Sequence, residues 1–323
     1  MLIHWLLCIL GFGLLYWGAE WLVKGSSSLA RSFGVTPLVI GLTVVAFGTS
    51  APELVVSLLA SLKGKSMIAV GNVVGSNICN IALVLGASAL FQPIVTGSSV
   101  VRRDIPVMLA VSLMLGLFTM DSVLGRGEGA VLVAGIVVYT LFNYVQARRC
   151  RADELAEACV AETLPVVTDG RGRMLLLVVA GVAGVVVGAQ LVVDAAEVIM
   201  RALGVSEKFI GLTVVAFGTS LPELATSVVA AARGELDISI GNLVGSNVFN
   251  ILSVLGAAAL VRPIPIPDGG FWASGLWLDY TVMMGTSLLP LILMRRTNTV
   301  SRGGGVVLLA CYFCYLGYLF VVR

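Results

Sequence analysis

Two stretches of this chain are nearly the same, and they lie 170 residues apart. Residues 41–64 read GLTVVAFGTSAPELVVSLLASLKG, and residues 211–234 read GLTVVAFGTSLPELATSVVAAARG. The likeness continues with GNVVGSNICNIALVLG at 71–86 and GNLVGSNVFNILSVLG at 241–256, and it reaches back from Gly18-Ala19-Glu20 to Gly188-Ala189-Gln190. A fainter echo, at a shifted offset, pairs Asp104–Met108 with Asp279–Met283. Duplication on this scale is read before any other signal, because whatever one half folds into, the other must also fold into.

What the halves can fold into is limited by how little charge they carry. Only 12% of the 323 residues are charged, 58% are hydrophobic and the mean hydropathy is +1.02. A water-soluble domain carries about 25% charged residues. Such a chain cannot cover a water-facing surface, so its solvent is lipid. Apolar runs near the ~20 residues needed to cross a bilayer as helix fall at 2–23, 35–62, 67–92, 104–120, 128–147, 174–198, 208–232, 238–261, 271–294 and 304–322. The N-terminal run has no basic leader and extends to Val23, so it reads as a first span, not a signal peptide. The polar break at 148–173 holds Arg148, Arg149, Arg151, Asp153, Glu154, Glu157, Glu162, Asp169, Arg171 and Arg173. The expectation is an all-α polytopic membrane protein of ten transmembrane helices. Residues 1–147 form one five-helix repeat, 148–173 a linker loop and 174–323 the second repeat.

Five is odd, so the second repeat enters the membrane from the opposite side, and the pair forms an inverted repeat. Folds of this kind place their binding site near the midplane, where broken helices of the two halves meet. Cytoplasmic loops carry the excess of Lys and Arg. With the N-terminus outside, 13 of these residues lie inside: Lys24, Arg31, Arg102, Arg103, Arg148, Arg149, Arg151, Arg171, Arg173, Arg233, Arg295, Arg296 and Arg302. Seven lie outside: Lys63, Lys65, Arg126, Arg201, Lys208, Arg262 and Arg323. Both termini are therefore expected outside and the central loop in the cytoplasm.

Several chemistries drop out. His4 is the only histidine, which removes a histidine-based metal centre or catalytic triad. The six cysteines (Cys8, Cys79, Cys150, Cys159, Cys311 and Cys314) show no disulfide framework, and the Cys311/Cys314 CxxC lies inside a hydrophobic run and reads as packing. No basic stripe is present, so nucleic acid is not a partner. No cofactor is implied.

The polar residues that do occur at membrane depth are the duplicated ones. In each GTS-x-PEL segment a glycine (Gly48, Gly218) and a proline (Pro52, Pro222) interrupt a hydrophobic span, and the freed backbone carbonyls need protein, water or an ion. Beside them stand Thr49, Ser50 and Glu53, mirrored by Thr219, Ser220 and Glu223. An unpaired carboxylate at that depth costs at least ~2.5–3.5 kcal/mol. The chain carries two, with no Lys or Arg in the same broken regions. Two carboxylates without a protein cation call for a bound cation. Carboxylate, hydroxyl, amide and carbonyl oxygens suit a hard ion such as Ca2+ or Na+, and the lack of imidazole and thiolate argues against zinc or copper.

The GN-x-V-GSN-x-x-N segments supply the rest of a shell. Ser76 and Asn80 share a helix face at i, i+4, and Ser246 and Asn250 repeat the spacing. Asn72, Asn77, Asn242 and Asn247 are alternatives, and some of these amides brace broken helices instead. The glycines at 71, 75, 241 and 245 allow close helix approach. Glu20, Asp104, Asp194, Glu197 and Asp279 read as interface or helix-end charges.

At these residues the sequence resembles the calcium/cation antiporter superfamily, and within it the sodium/calcium exchanger branch. The paired GTSxPE and GNxxGSNxxN motifs match its two alpha repeats, and the layout covers essentially the whole chain. The resemblance implies that Glu53 and Glu223 bridge a central Ca2+ site with backbone oxygens of Thr49 and Thr219. It implies flanking Na+ sites from Ser50 with Ser246 and from Ser76 with Ser220, joined by backbone oxygens of Ala46 and Ala216, with Asn80 and Asn250 in the middle. It further implies that spans 2–23 and 174–198 slide across the core to switch access. Potassium-dependent members, and some others, carry Asp where this chain has Asn250; Asn removes a negative charge, which makes potassium co-transport unexpected. The central loop is too short for the large regulatory calcium-binding domains of animal exchangers.

The expected activity is exchange of Ca2+ for Na+ by alternating access in a prokaryotic plasma membrane. One chain holds a complete site, so a monomer would suffice. The rivals are a Ca2+/H+ antiporter on the same fold, a cation channel, which ordinarily gathers several subunits around one axis, and an intramembrane enzyme, for which nucleophile, base and metal are wanting.

Overall fold

In lipid every backbone N–H and C=O must be satisfied within its own segment or by protein, so apolar runs become helices. The computed structural model describes residues 2–161, 170–204, 216–266 and 276–322, and over these the chain is helical apart from short connecting turns and four two-residue strands. In chain order the helices are α1 Leu2–Phe33, α2 Pro37–Thr49, α3 Ala51–Leu62, α4 Ile68–Phe91, α5 Ile105–Phe118, α6 Arg126–Ala161, α7 Arg171–Ala202, α8 Ala216–Thr219, α9 Leu221–Ala232, α10 Leu236–Val261, α11 Leu276–Met294 and α12 Arg302–Val322.

Every one of the ten apolar runs contains helix. Among the described residues seven helices are long and apolar enough to cross a membrane, and α2 with α3, bent by 46°, makes an eighth. The other two runs hold α5, whose preceding turns carry Arg102, Arg103 and Asp104, and the 12-residue α9. The opening of the run at 208–232 and of the run at 271–294 lie outside the described residues, as do Glu162, Asp169, Lys208 and Arg323. Helix α6 continues through the polar break as far as Ala161.

Burial separates a centre from a rim. α4 and α10, which carry the GSN motifs, contribute half of the largest core cluster, including Val73, Ile78, Ile81, Leu85, Leu243, Val248, Ile251 and Leu255. α1, α6, α7 and α12 instead turn large apolar side chains outward: Trp5, Leu6, Trp17, Val138, Phe142, Leu176, Val179 and Phe313 are all exposed. A face of that kind is stable only against lipid or another protein.

α1 and α7 pack antiparallel at backbone contact. A Cβ on Gly18 would stand 2.6 Å from the Val185 nitrogen, and one on Gly188 would stand 2.7 Å from the Leu15 nitrogen. α7 also crosses both broken segments, since a side chain at Gly48 would strike Val182 and one at Gly218 would strike Val193. Small residues at these points let the helices approach as lipid-embedded helices do.

The connections gather into two sets. Strand β1 (Ile94–Val95) pairs antiparallel with β4 (Thr299–Val300), and β2 (Val123–Leu124) with β3 (Ile264–Pro265). Glu20 in the second half of α1 pairs with Arg233 after α9, with the Arg233 Nε to Glu20 Oε1 distance at 2.7 Å. Ser27 donates to Glu235 at 2.6 Å, and Arg171 donates to Ser32 at 3.1 Å. Elsewhere Arg262 reaches the Leu62 carbonyl and Arg126 the Val261 carbonyl, each at 3.4 Å. Odd-numbered connections of the ten-run layout meet odd ones, and even meet even.

Candidate cation site

The helix breaks fall at Ser50 (φ −83°, ψ 8°) and Ser220 (φ −88°, ψ 2°). Each proline lies two residues beyond, in the first turn of the following helix. There its missing N–H would have had no intrahelical partner, so proline starts the second helix and does not kink the first. The same register places Glu53 and Glu223 at the third position of α3 and α9. Free N–H groups and the positive end of the helix dipole favour a carboxylate there. The sequence spacing thus converts two mid-span acids into helix-start acids, which lowers the cost of holding them charged in the interior.

A second irregularity faces the first. The i→i+4 ladder of α4 widens to π-helical turns at Cys79–Leu85, and that of α10 widens at Asn250–Leu255. Such bulges free backbone groups and re-aim side chains, often at functional sites. Asn80 and Asn250 sit at these openings.

The structure interleaves the two repeats. Ser50 Oγ donates to Glu223 Oε1 at 3.0 Å, and Ser246 Oγ lies 3.4 Å from the same oxygen. Thr49 Oγ1 donates to Asn242 Oδ1 at 3.1 Å and lies 3.4 Å from both Ser246 Oγ and the Ala46 carbonyl. The Ala46 carbonyl also accepts the Ser50 N–H at 3.0 Å. Across the centre, Thr219 Oγ1 reaches Asn72 Oδ1 at 3.5 Å. Ser76 and Thr219 approach the Glu53 carboxylate without closing a hydrogen bond to it, and the two carboxylates are near enough to repel one another. Ala216 opens the short helix α8 at the position corresponding to Ala46.

Thr49, Ser50, Glu53, Ser76, Asn80, Ser220, Glu223, Ser246 and Asn250 are all buried. Among the described residues, both oxygens of Glu53, Glu223 Oε2, Ser76 Oγ, Ser220 Oγ, Asn80 Oδ1 and Asn250 Oδ1 have no hydrogen-bond partner. No ion pair among the described residues reaches either carboxylate. A buried, unsatisfied oxygen is destabilising by about 1–3 kcal/mol, and more when charged. Seven of them come from one duplicated motif set, and oxygens of this kind could hold a cation. Among the described residues no group of three or more His, Cys, Asp or Glu side chains is gathered anywhere. The set is therefore two carboxylates completed by neutral oxygens, the chemistry of a hard ion.

The alternatives of the sequence reading separate cleanly. Asn72 donates to the Glu53 carbonyl at 3.3 Å and to Ser57 Oγ at 3.0 Å, and Asn242 donates to Ser227 Oγ at 3.1 Å. These two amides brace the broken helices. Ser57 and Ser227, their partners one turn beyond each glutamate, were not singled out in the sequence, although the duplicated motif spacing contained the signal. Asn77 and Asn247 bond across the repeat interface. The other acids are tied down away from the site: Glu20 to Arg233, Asp104 to Arg103 at 2.7 Å, Asp194 to Gln190 at 2.9 Å, Glu197 to Arg201 at 2.6 Å and Asp279 to Tyr315 at 3.0 Å.

Known proteins resemble this chain over nearly its whole length. The family model described as sodium/calcium exchanger protein matches residues 3–145 and 173–321. The chain is 41% identical to the inner membrane protein YrbG of Escherichia coli (strain K12), over 99% of this chain and 98% of that one. It is 31% identical to the sodium/calcium exchanger MaX1 of Methanosarcina acetivorans, over 99% of each. A solved structure of the sodium-calcium exchanger NCX_Mj superposes with a TM-score of 0.83 at 33% identity, covering 100% of this chain and 99% of that one.

Proposed function

The chain belongs to the sodium/calcium exchanger protein family, and from that premise we propose that it exchanges Ca2+ for Na+ through the oxygens between Glu53 and Glu223. It is an integral membrane protein of a family of cation antiporters; the pairing of Na+ with Ca2+ and the residues that carry it are our reading. The observation that carries it is Glu53: a fully buried carboxylate with both oxygens unpartnered among the described residues, facing a second carboxylate.

The reading assigns Glu53 and Glu223, with the backbone oxygens of Thr49 and Thr219, to Ca2+. Ser50 with Ser246 and Ser76 with Ser220, together with the carbonyls of Ala46 and Ala216, take Na+. Asn80 and Asn250 present amide oxygens at the centre. Ca2+ and Na+ then compete for one set of oxygens. Two uncompensated carboxylates resist passage through a low-dielectric barrier, and a bound cation relieves that resistance. Exchange becomes obligatory because only the occupied site crosses readily, and a ligand shifts an equilibrium by its differential interaction with the two states. The hydroxyl pairs flanking the carboxylates favour Na+ over H+ as the counter-ion, since a proton on a glutamate needs no such shell.

We also read the chain as ten spans in two inverted repeats with both termini outside, acting as a monomer in a prokaryotic plasma membrane. The pairing of odd connections with odd and even with even supports the layout, and the Lys/Arg bias supports the orientation.

The test is 45Ca2+ uptake into proteoliposomes loaded with Na+, K+ or choline. Uptake is expected only with an outward Na+ gradient, and it is expected to vanish in Glu53→Gln and in Glu223→Gln. Uptake driven by a pH gradient and indifferent to Na+ would replace Na+ with H+ in this reading. Uptake surviving both substitutions would remove the site.

A further inference from the structure

The inner ends of the two GSN-x-x-N motifs hold one another in a closed exchange of hydrogen bonds. Asn77 Nδ2 donates to the Asn247 backbone carbonyl at 3.3 Å, and Asn247 Nδ2 donates to the Asn77 backbone carbonyl at 3.3 Å. A backbone carbonyl can only accept, so each of these contacts fixes which end of the side-chain amide is nitrogen. The remaining end of each is then an acceptor. Asn250 Nδ2 donates to Asn77 Oδ1 at 3.2 Å, and Asn80 Nδ2 donates to Asn247 Oδ1 at 3.1 Å. That in turn fixes the amides of Asn80 and Asn250, and it leaves their Oδ1 atoms, buried and unpartnered among the described residues, as the free ends.

We propose that Asn77 and Asn247 are positioning residues. Each holds the amide of the other repeat's Asn250 or Asn80 so that a carbonyl oxygen, and not an NH2 group, is offered to the cation. The inference rests on the reading of Asn80 and Asn250 as cation-facing residues and adds what orients them. An asparagine amide can flip by 180° at little intrinsic cost, and a flipped one would present two donors to a cation and repel it. The relation crosses the repeats: Asn77 controls Asn250 and Asn247 controls Asn80, although each is three residues from the other asparagine of its own helix. The sulfur atoms of Met283 and Met108, at 3.9 Å from Asn77 Nδ2 and 3.6 Å from Asn247 Nδ2, close the remaining space with weak acceptors. A neutral lattice of this kind sets geometry without adding charge to the two carboxylates.

The test is a double-mutant cycle read in proteoliposomes of the full chain, with the KM for Ca2+ in Na+-gradient-driven uptake measured separately from the maximal rate. Ca2+ binding is measured in parallel in detergent. Loss of a group that orients a metal ligand ordinarily lowers affinity about 10- to 100-fold. Asn77→Ala is expected to raise the KM about tenfold or more, and to add nothing in an Asn250→Ala background. In an Asn80→Ala background its effect is expected in full. Asn247→Ala is expected to behave in the opposite sense, silent beside Asn80→Ala. If Asn77→Ala is not recovered folded, Asn77→Ser keeps a hydroxyl for the Asn247 carbonyl and is too short to hold Asn250, so the same KM change is expected. Equal effects of Asn77→Ala in both backgrounds, or a fall in rate with the KM unchanged, would overturn the proposal. Wild-type protein without Na+-dependent Ca2+ uptake would instead count against the exchange reading on which it rests.

Discussion

Ser50 Oγ donates to Glu223 Oε1 at 3.0 Å, while Ser220, the residue that corresponds to Ser50 in the other repeat, has no hydrogen-bond partner among the described residues. The two halves are near-copies in sequence and unequal in structure. Around Glu223 two hydroxyls close on one carboxylate oxygen, and around Glu53 none does among the described residues.

That inequality predicts unequal stabilities without cations. Ser50→Ala removes a donor from a buried carboxylate and is expected to destabilise the cation-free protein by about 1–3 kcal/mol. Ser220→Ala removes a hydroxyl that bonds nothing described, and is expected to leave cation-free stability unchanged while weakening stabilisation by added Na+. Thermal unfolding in detergent, with and without Na+ and Ca2+, reads both. Equal cation-free losses for the two variants would show that the halves are equivalent.

The ends of the molecule give a topological prediction. With the six native cysteines replaced, single cysteines at Arg31 and Arg233 are expected to react with a membrane-impermeant maleimide only from the cytoplasmic side. Cysteines at Lys63 and Arg126 are expected to react only from outside. A mixed pattern within either pair would break the ten-span inverted arrangement. The Glu20–Arg233 contact itself contributes little: Arg233 is 46% exposed, and exposed pairs are worth about 0–1 kcal/mol. Glu20→Ala is expected to shift the unfolding midpoint only marginally.

Gly18 and Gly285 make opposite predictions. A Cβ at Gly18 would meet backbone atoms of Val185 and Gly184 within 3 Å, whereas one at Gly285 would meet nothing within 4 Å. Gly18→Leu is expected to force α1 and α7 apart, at about 1–3 kcal/mol, and to slow Ca2+ exchange. Gly285→Ala is expected to be neutral or to stabilise by about 0.5–1 kcal/mol, as Ala does over Gly inside a helix. Unaltered exchange in a folded Gly18→Leu protein would show that the tight α1–α7 contact is dispensable for transport.

Much of this was legible before any coordinates. Poverty of charge specified a lipid-embedded helical chain, because no other surface is available to such a composition. Duplication marked the polar segments, since Glu53/Glu223 and Asn80/Asn250 recur at one offset where lipid-facing helices need no such residues. The expectation of a hard ion rests on the residue types alone, which offer oxygen and almost nothing else.

Three-dimensional packing settled the rest. Sequence placed Pro52 as the breaker of a helix; backbone geometry made it the start of a new one, because a proline in a first turn loses no bond. Sequence left Asn72, Asn77, Asn242 and Asn247 as interchangeable candidates; the fold sorted them into braces for the broken helices and braces for their neighbours across the interface. Amide orientation depends on what stands within about 3 Å, and for Asn77, Asn80, Asn247 and Asn250 those partners come from the other repeat, 167 to 173 residues away. A linear pattern records which polar atoms a chain contains. Which of them find partners, and which are left without one, is decided only when the two halves close on each other.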